Sequence, residues 1–203
     1  MNFLYIITNL LSIYNNITLH MDALDNILNR VSARTLIEPH PSHYEMDKVF
    51  KGALRAPDHA WLRPSSFIQV TGEGIDKLSE IFEEYAKTVP DIKDEIITKY
   101  KNAPYRAPMI VILVNSVNEH PKVPEIEQKL STAASAQNIL LSLNALGYSA
   151  IWRTGKLAFN PFVASKLNLK TNQEILGYIY IGTADGTNKK IPELDIEDFV
   201  SYL

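Results

Sequence analysis

Three short segments hold the side chains best suited to chemistry, and each is built around arginine. The first is Arg30-Val31-Ser32-Ala33-Arg34. Two guanidinium groups beside a hydroxyl suit a phosphate dianion, because Arg offers a planar fork and Ser a short donor. Each such charge-assisted bond contributes roughly 1.5–3 kcal/mol. The same two cations also suit the C-terminal carbonyls of a preceding helix. The second segment is Arg55-Ala56-Pro57-Asp58-His59, followed by Arg63-Pro64. The prolines bracket a stiff loop that presents two Arg and one His, either as a site or as a solvated connection. The third is Trp152-Arg153-Thr154-Gly155. It puts a large planar apolar group, a cation, a hydroxyl and a flexible residue at a strand end, where sheets often hold ligands. A strand cap with a core Trp is the alternative reading.

The rest of the sequence narrows the chemistry. Among 203 residues there are 20 Lys+Arg against 23 Asp+Glu, a net charge of −3, with no cysteine. That balance argues against nucleic acid as the main partner, which would demand a basic surplus. Without cysteine there is no disulfide framework, thiolate metal site or catalytic thiol, and the composition fits a reducing compartment. No GxGxxG, Walker loop or GxSxG elbow occurs. The five histidines (His20, His40, His43, His59 and His120) lack the spacing of a metal site.

Elements must exist to position these segments. Leu24, Ile27, Leu28 and Val31 recur at helical spacing behind Asp22. Ser42 and Glu45 form a capping box for a helix carrying Met46, Val49, Phe50, Ala53 and Leu54 and ending near Pro57. Phe67–Thr71 reads as a strand stopped at Gly72. Two further amphipathic helices follow, one through Ile75, Leu78, Ile81, Phe82 and Tyr85, the other through Ile92, Ile96, Ile97 and Tyr100.

Met109–Val114 is uninterruptedly apolar, which predicts a strand covered on both faces. Pro124 to Leu146 reads as the longest helix, with Gly147 just past its end. From Ala133 to Leu146 it carries little charge on any side, which predicts burial. Its small residues Ala133, Ala134, Ser135 and Ala136 would admit a second backbone. Ser149–Trp152 reads as a short strand. Asn160-Pro161 reads as the start of a short helix, and Ile175–Ile181 as a last strand ending at Gly182. Strands alternate with helices around a central sheet, an α/β or α+β arrangement. The tail from Asp185 on offers Phe199 and Tyr202 as docking groups.

The first 20 residues are apolar but lack a basic region and a small-residue cleavage site, so they do not read as a secretory signal. Asn9, Asn15 and Asn16 interrupt them short of a bilayer span. The expectation is an N-terminal extension over 1–20, with Met21 as the working start and one domain over 21–203. A docked amphipathic arm is the other reading.

Taken in order, six segments are specific together. MDALDNILNRVSAR, RAPDHAWLRP, NAPYRAP, KVPEIEQ, GYSAIWRTG and ILGYIYIGT span the chain from Met21 onward. With them the sequence resembles the FMN-dependent nitroreductase family, most closely its short, YdjA-like bacterial branch. The resemblance implies an α+β nitroreductase-like fold, with a central mixed sheet flanked by helices and FMN at a homodimer interface. It implies FMN contacts from Arg30, Val31 and Ser32, where Val31 departs from a second family arginine that Arg34 would partly replace. It further implies Arg55 and His59 reaching the partner's flavin, Arg63 at a flavin-contacting position, and Trp152, Arg153 and Thr154 on FMN. The turn from Asn144 to Gly147 lies where the branch is assigned the nicotinamide cofactor. Lys189 and Lys190 are candidates for a 2′-phosphate, though they also read as solvated.

The implied activity is a ping-pong transfer of hydride from NAD(P)H through FMN to a nitroaromatic or quinone-type acceptor. The chemistry belongs to the flavin, so no side chain need be catalytic and no metal is required. Arg153 or Arg55 would stabilise the reduced ring. The helix at Lys129–Leu146 would form much of the dimer interface. A cytoplasmic protein with a small-molecule acceptor and no nucleic-acid or membrane partner is expected. A non-catalytic flavin-binding or flavin-storing protein of the same fold is the alternative, and Val31 is its only support.

Overall fold

The structure, a computed structural model, describes residues 22–186 and 189–203. The expectation for residues 1–20 lies outside them. In chain order the elements are α1 (Ala23–Asn29), β1 (Leu36–Ile37), α2 (His43–Ala53), β2 (Ser65–Thr71), α3 (Glu73–Lys87), α4 (Asp94–Lys101), β3 (Met109–Ser116), α5 (Glu125–Ala145), β4 (Ser149–Arg153), α6 (Pro161–Lys166) and β5 (Gln173–Ala184). Single 3₁₀ turns stand at His59–Trp61, Pro104–Arg106 and Ile196–Asp198. This is an α+β fold in which helices cover both faces of one sheet.

β5 is the hub of that sheet. It pairs antiparallel with β3 through Met109↔Ile181 and with β4 through Ala150↔Ile181, so the two flank it. β2 pairs antiparallel with β3 beyond, and the short β1 pairs with the end of β5. The parallel element is a bridge from Ser32 to Ala150 on the outer edge of β4. That bridge makes the sheet mixed and ties the first arginine segment to the strand carrying Arg153.

The apolar run of β3 serves two cores, because alternate side chains leave opposite faces of a strand. Ile110, Ile112 and Val114 join Leu78, Phe82 and Tyr178 beneath α3. Met109, Val111 and Leu113 join Met46, Val49, Ile139 and Leu143 beneath α2 and α5. The capping box that opens α2 is complete: Glu45 N donates to Ser42 Oγ and Ser42 N to Glu45 Oε2. Asn160 caps α6 as read, its Oδ1 accepting from Phe162 N at 2.9 Å.

Several expectations need correction. β5 runs through Gly182 to Ala184 instead of stopping there. A Cβ at Gly182 would meet the Ile37 carbonyl at 2.7 Å and the Pro108 ring at 3.0 Å, so this glycine admits close neighbours and does not break the strand. α1 ends at Asn29, leaving Val31 outside it, and its apolar stripe of Leu24, Ile27 and Leu28 is exposed. α5 is not buried all round. Within Ala133–Leu146, Ser135, Ile139 and Leu143 are buried against the sheet while Gln137, Ala145 and Leu146 are exposed; before that stretch Ile126 and Leu130 also face solvent. Phe199 and Tyr202 of the tail are likewise exposed in the single chain. No helix among the described residues is long and apolar enough to cross a membrane.

Gly177 decides how β4 sits on β5. Its φ of 146° lies in a region that other residues rarely adopt, and a Cβ there would collide with Trp152 Nε1 and meet the Arg153 carbonyl at 2.8 Å. The indole lies across that gap and donates to the Leu176 carbonyl at 3.3 Å. Gly177→Ala is expected to destabilise the protein by about 2–4 kcal/mol, from overpacking and backbone strain together. Urea unfolding followed by tryptophan fluorescence measures the loss.

Candidate functional site

The chain contains six arginines, and none forms an ion pair among the described residues. Every such pair there uses lysine or histidine. A guanidinium without a carboxylate is available to an external anion. The question is therefore which arginines the fold brings together.

Three converge at the β4 edge. Arg153 ends β4, and its guanidinium lies over the Tyr180 ring, 5.5 Å from the centroid. Its Nη2 donates to the Arg34 carbonyl at 3.3 Å, while its buried Nε has no hydrogen-bond partner. Burial, then the charges of Arg106 and Arg34, push Arg153 below its usual value. A buried donor left without an acceptor, under like-charge pressure, is a place that an anion would relieve. Arg106 comes from the 3₁₀ turn before β3. Its segment stood out in the sequence, but its charge did not, because only the fold brings that turn within electrostatic reach of Arg153 and Tyr180.

Arg30 and Ser32 belong to the same edge. Arg30 caps the end of α1, and its Nη1 lies 3.5 Å from Ser32 Oγ. The Ser32 bridge and the bond from Ala33 N to the Ala150 carbonyl hold this segment along β4. Beside it opens a cleft of about 300 Å³ walled by Val31, Ser32, Arg34, Thr35, Asp185 and Lys189. Val31 supplies an apolar wall where the resemblance implied a cation. Lys189, one of the two lysines considered for a 2′-phosphate, lies on this wall.

Trp152 and Arg153 do not act side by side. Strand alternation sends the indole to the α2–α5 face and the guanidinium to the α3–α4 face. Thr154 follows in the exposed turn after β4. Asn144 donates to Asn26 Oδ1 at 2.7 Å and so ties α5 to α1. Gly147, at φ 84°, closes α5 and has open space above its Cα.

The second segment stands at the opposite edge of the sheet, leading into β2. β2 and β4 are three strand spacings apart, roughly 14 Å. Arg55, His59 and Arg63 are exposed, and Arg63 lies 5.6 Å from the Trp61 ring. Ala60, Trp61 and Arg63 adopt left-handed backbone at φ 57°, 54° and 54°. Such strain costs on the order of 1–3 kcal/mol per residue and persists only where the surroundings impose it. Asp58 imposes it, its carboxylate accepting from Leu62 N at 3.1 Å and Arg63 N at 2.9 Å. One chain therefore presents two separate cationic clusters, and the second is held in a costly shape.

Comparison with known proteins gives these features a context. The Nitroreductase family profile matches residues 27–183. The chain is 34% identical over 185 residues to the Escherichia coli K12 protein named "Putative NAD(P)H nitroreductase YdjA", covering 90% of this chain and 100% of that one. A nitroreductase-like family protein from Bacillus cereus superposes with a TM-score of 0.78 at 21% identity, covering 90% of this chain and 96% of that one. A nitroreductase with bound FMN from Bacteroides fragilis superposes with a TM-score of 0.70 at 19% identity, covering 90% and 98%.

The unsatisfied Nε of Arg153 has a direct test. Inorganic phosphate is expected to raise the melting temperature of the wild-type protein by several degrees, since saturation at 100 times Kd is worth about 2.7 kcal/mol. Arg153→Met is expected to lose that rise while melting within about 1 kcal/mol of wild type in phosphate-free buffer, because it removes a crowded charge. Differential scanning calorimetry with and without phosphate reads both.

Proposed function

The chain belongs to the nitroreductase family and is an oxidoreductase, and from that premise we propose that it binds FMN at the β4 edge and moves hydride from NAD(P)H to nitroaromatic or quinone-type acceptors. The observation that supports this most is the electrostatic meeting of Arg34, Arg106 and Arg153, none of them in an ion pair among the described residues, beside a cleft carrying Ser32 and Thr35. The donor set fits the ligand. A phosphate needs cations and hydroxyls, and a flavin ring needs an apolar bed with polar groups at one end. Bound FMN would supply the two-electron hydride chemistry.

The chain's own residues then bind and orient. Arg30, Ser32 and Arg34 would hold the phosphate and ribityl end, and Arg106 would add positive charge near Arg153. Arg153 sits against Tyr180 with an unused Nε–H and would supply positive charge to the bound flavin. Trp152 acts by seating β4 on Gly177, and Thr154 adds a hydroxyl at the strand end. The open space over Gly147 and the neighbouring Asn144 border the approach of the nicotinamide, and Lys189 offers a cation for its phosphate.

The second cluster joins the first through a homodimer. Arg55, His59 and Arg63 stand at the sheet edge opposite Arg153 of their own chain, and in the homodimer that the family resemblance implies a second copy would bring them to it. The exposed apolar residues of α1, of the outer side of α5 and of the tail supply a surface for that association. A cytoplasmic location accords with the absence of cysteine.

Purified protein is expected to be yellow, or to become so on reconstitution with FMN, and to oxidise NADH or NADPH only with an acceptor present. Parallel lines in double-reciprocal plots of the two substrates would mark the ping-pong order. Arg30→Glu combined with Arg153→Glu is expected to lower FMN content at least 10-fold; unchanged flavin content would defeat the assignment of the phosphate site. Retained flavin without turnover would instead favour a flavin-storing protein.

A further inference from the structure

The KVPEIEQ segment opens α5, and the structure gives two of its residues a task on the strained loop at the opposite side of the chain sequence. Glu127 Oε2 lies 2.7 Å from His59 Nδ1. The next residue, Gln128, is only 3% exposed and uses both ends of its amide on Asn118. Its Oε1 accepts from Asn118 N at 2.9 Å, and its Nε2 donates to the Asn118 carbonyl at 2.9 Å. Asn118 Nδ2 in turn donates to the Leu62 carbonyl at 3.0 Å. One helical turn therefore grips the 58–63 loop twice, at the imidazole directly and at Leu62 through Asn118. The loop between these grips is the one with three left-handed non-glycine residues.

We propose that Glu127 is a positioning residue for His59, accepting its Nδ1–H so that the ring is fixed and Nε2 faces outward as the atom presented to the flavin of the second copy. Free histidine in water favours the opposite tautomer, with the proton on Nε2. A carboxylate acceptor at Nδ1 reverses that choice and sets the ring orientation. Glu127 is suited to the task because it lies in the first turn of α5, where the helix dipole favours negative charge. The Gln128–Asn118 grip keeps the loop backbone in register, so the carboxylate need only orient the ring. The proposal rests on the reading above that His59 meets flavin.

The test uses the full-length protein supplied with FMN, in wild-type, Glu127→Ala, Glu127→Gln, His59→Ala and double-variant forms. Nitrogen-15 spectra of labelled histidine are expected to find His59 protonated on Nδ1 in wild type. The proton should move to Nε2 in Glu127→Ala and return in Glu127→Gln, whose amide carbonyl still accepts. Turnover number is expected to fall roughly 10-fold in Glu127→Ala, the scale of a displaced contacting group, and to recover largely in Glu127→Gln. KM for NAD(P)H should stay constant, and the double variant should be no slower than His59→Ala alone. An unchanged His59 tautomer, an unchanged turnover number, or losses that multiply in the double variant would overturn the proposal. A wild-type protein that takes up no FMN would refute the functional reading instead, while the tautomer spectra would still decide whether Glu127 orients the ring.

Discussion

Like charges crowd one sheet edge, and none of its arginines is held in an ion pair among the described residues. Arg34 and Arg106 press on Arg153, whose Nε is buried and unsatisfied. Proteins rarely leave a buried donor without a partner, and rarely gather guanidinium groups where nothing negative arrives. Here carboxylates are plentiful elsewhere: Glu83 alone binds both Lys87 and Lys101, which hold its carboxyl at about 2. The lack of ion pairs at this edge is thus local, and it supports the proposed anion site.

The sheet makes this crowding sustainable. β5 is held between β3 and β4, and β3 feeds an apolar core on each face. Gly177 contributes by letting the Trp152 indole cross β5 at close range, which pins β4 from the opposite face. The proposed anion site and the core are therefore joined through one strand, with Arg153 and its anchor Trp152 on consecutive residues that leave opposite faces.

The same chain leaves apolar surface uncovered. The stripe of α1, the outer side of α5 and the aromatic tail would each be expected to find cover. The strained 58–63 loop is likewise costly for a chain acting alone. Both features agree with a site assembled from two copies, each offering its β4 edge to the other's loop. Glu127 and Gln128 would then keep that loop ready before the copies meet.

Much of the fold was legible in the residues because it rests on local physics. The capping box at Ser42, the Asn160-Pro161 start and the two-faced run of β3 each follow from short-range hydrogen bonding or from side-chain period. The arginine segments could be named for the same reason, since guanidinium, hydroxyl and proline chemistry is visible in type and spacing. What the order of residues could not give was distance. Arg106 joined the site only because a 3₁₀ turn carries it within electrostatic reach of Arg153. Trp152 and Arg153, neighbours in sequence, parted because a strand turns alternate side chains to opposite faces. Gly182 read as a strand end but lies within β5, where a neighbouring proline and carbonyl need its missing side chain. Glu127 meets His59 across 68 positions of chain. Contacts of that span are decided by how the cores pack, and packing is a property of the folded whole.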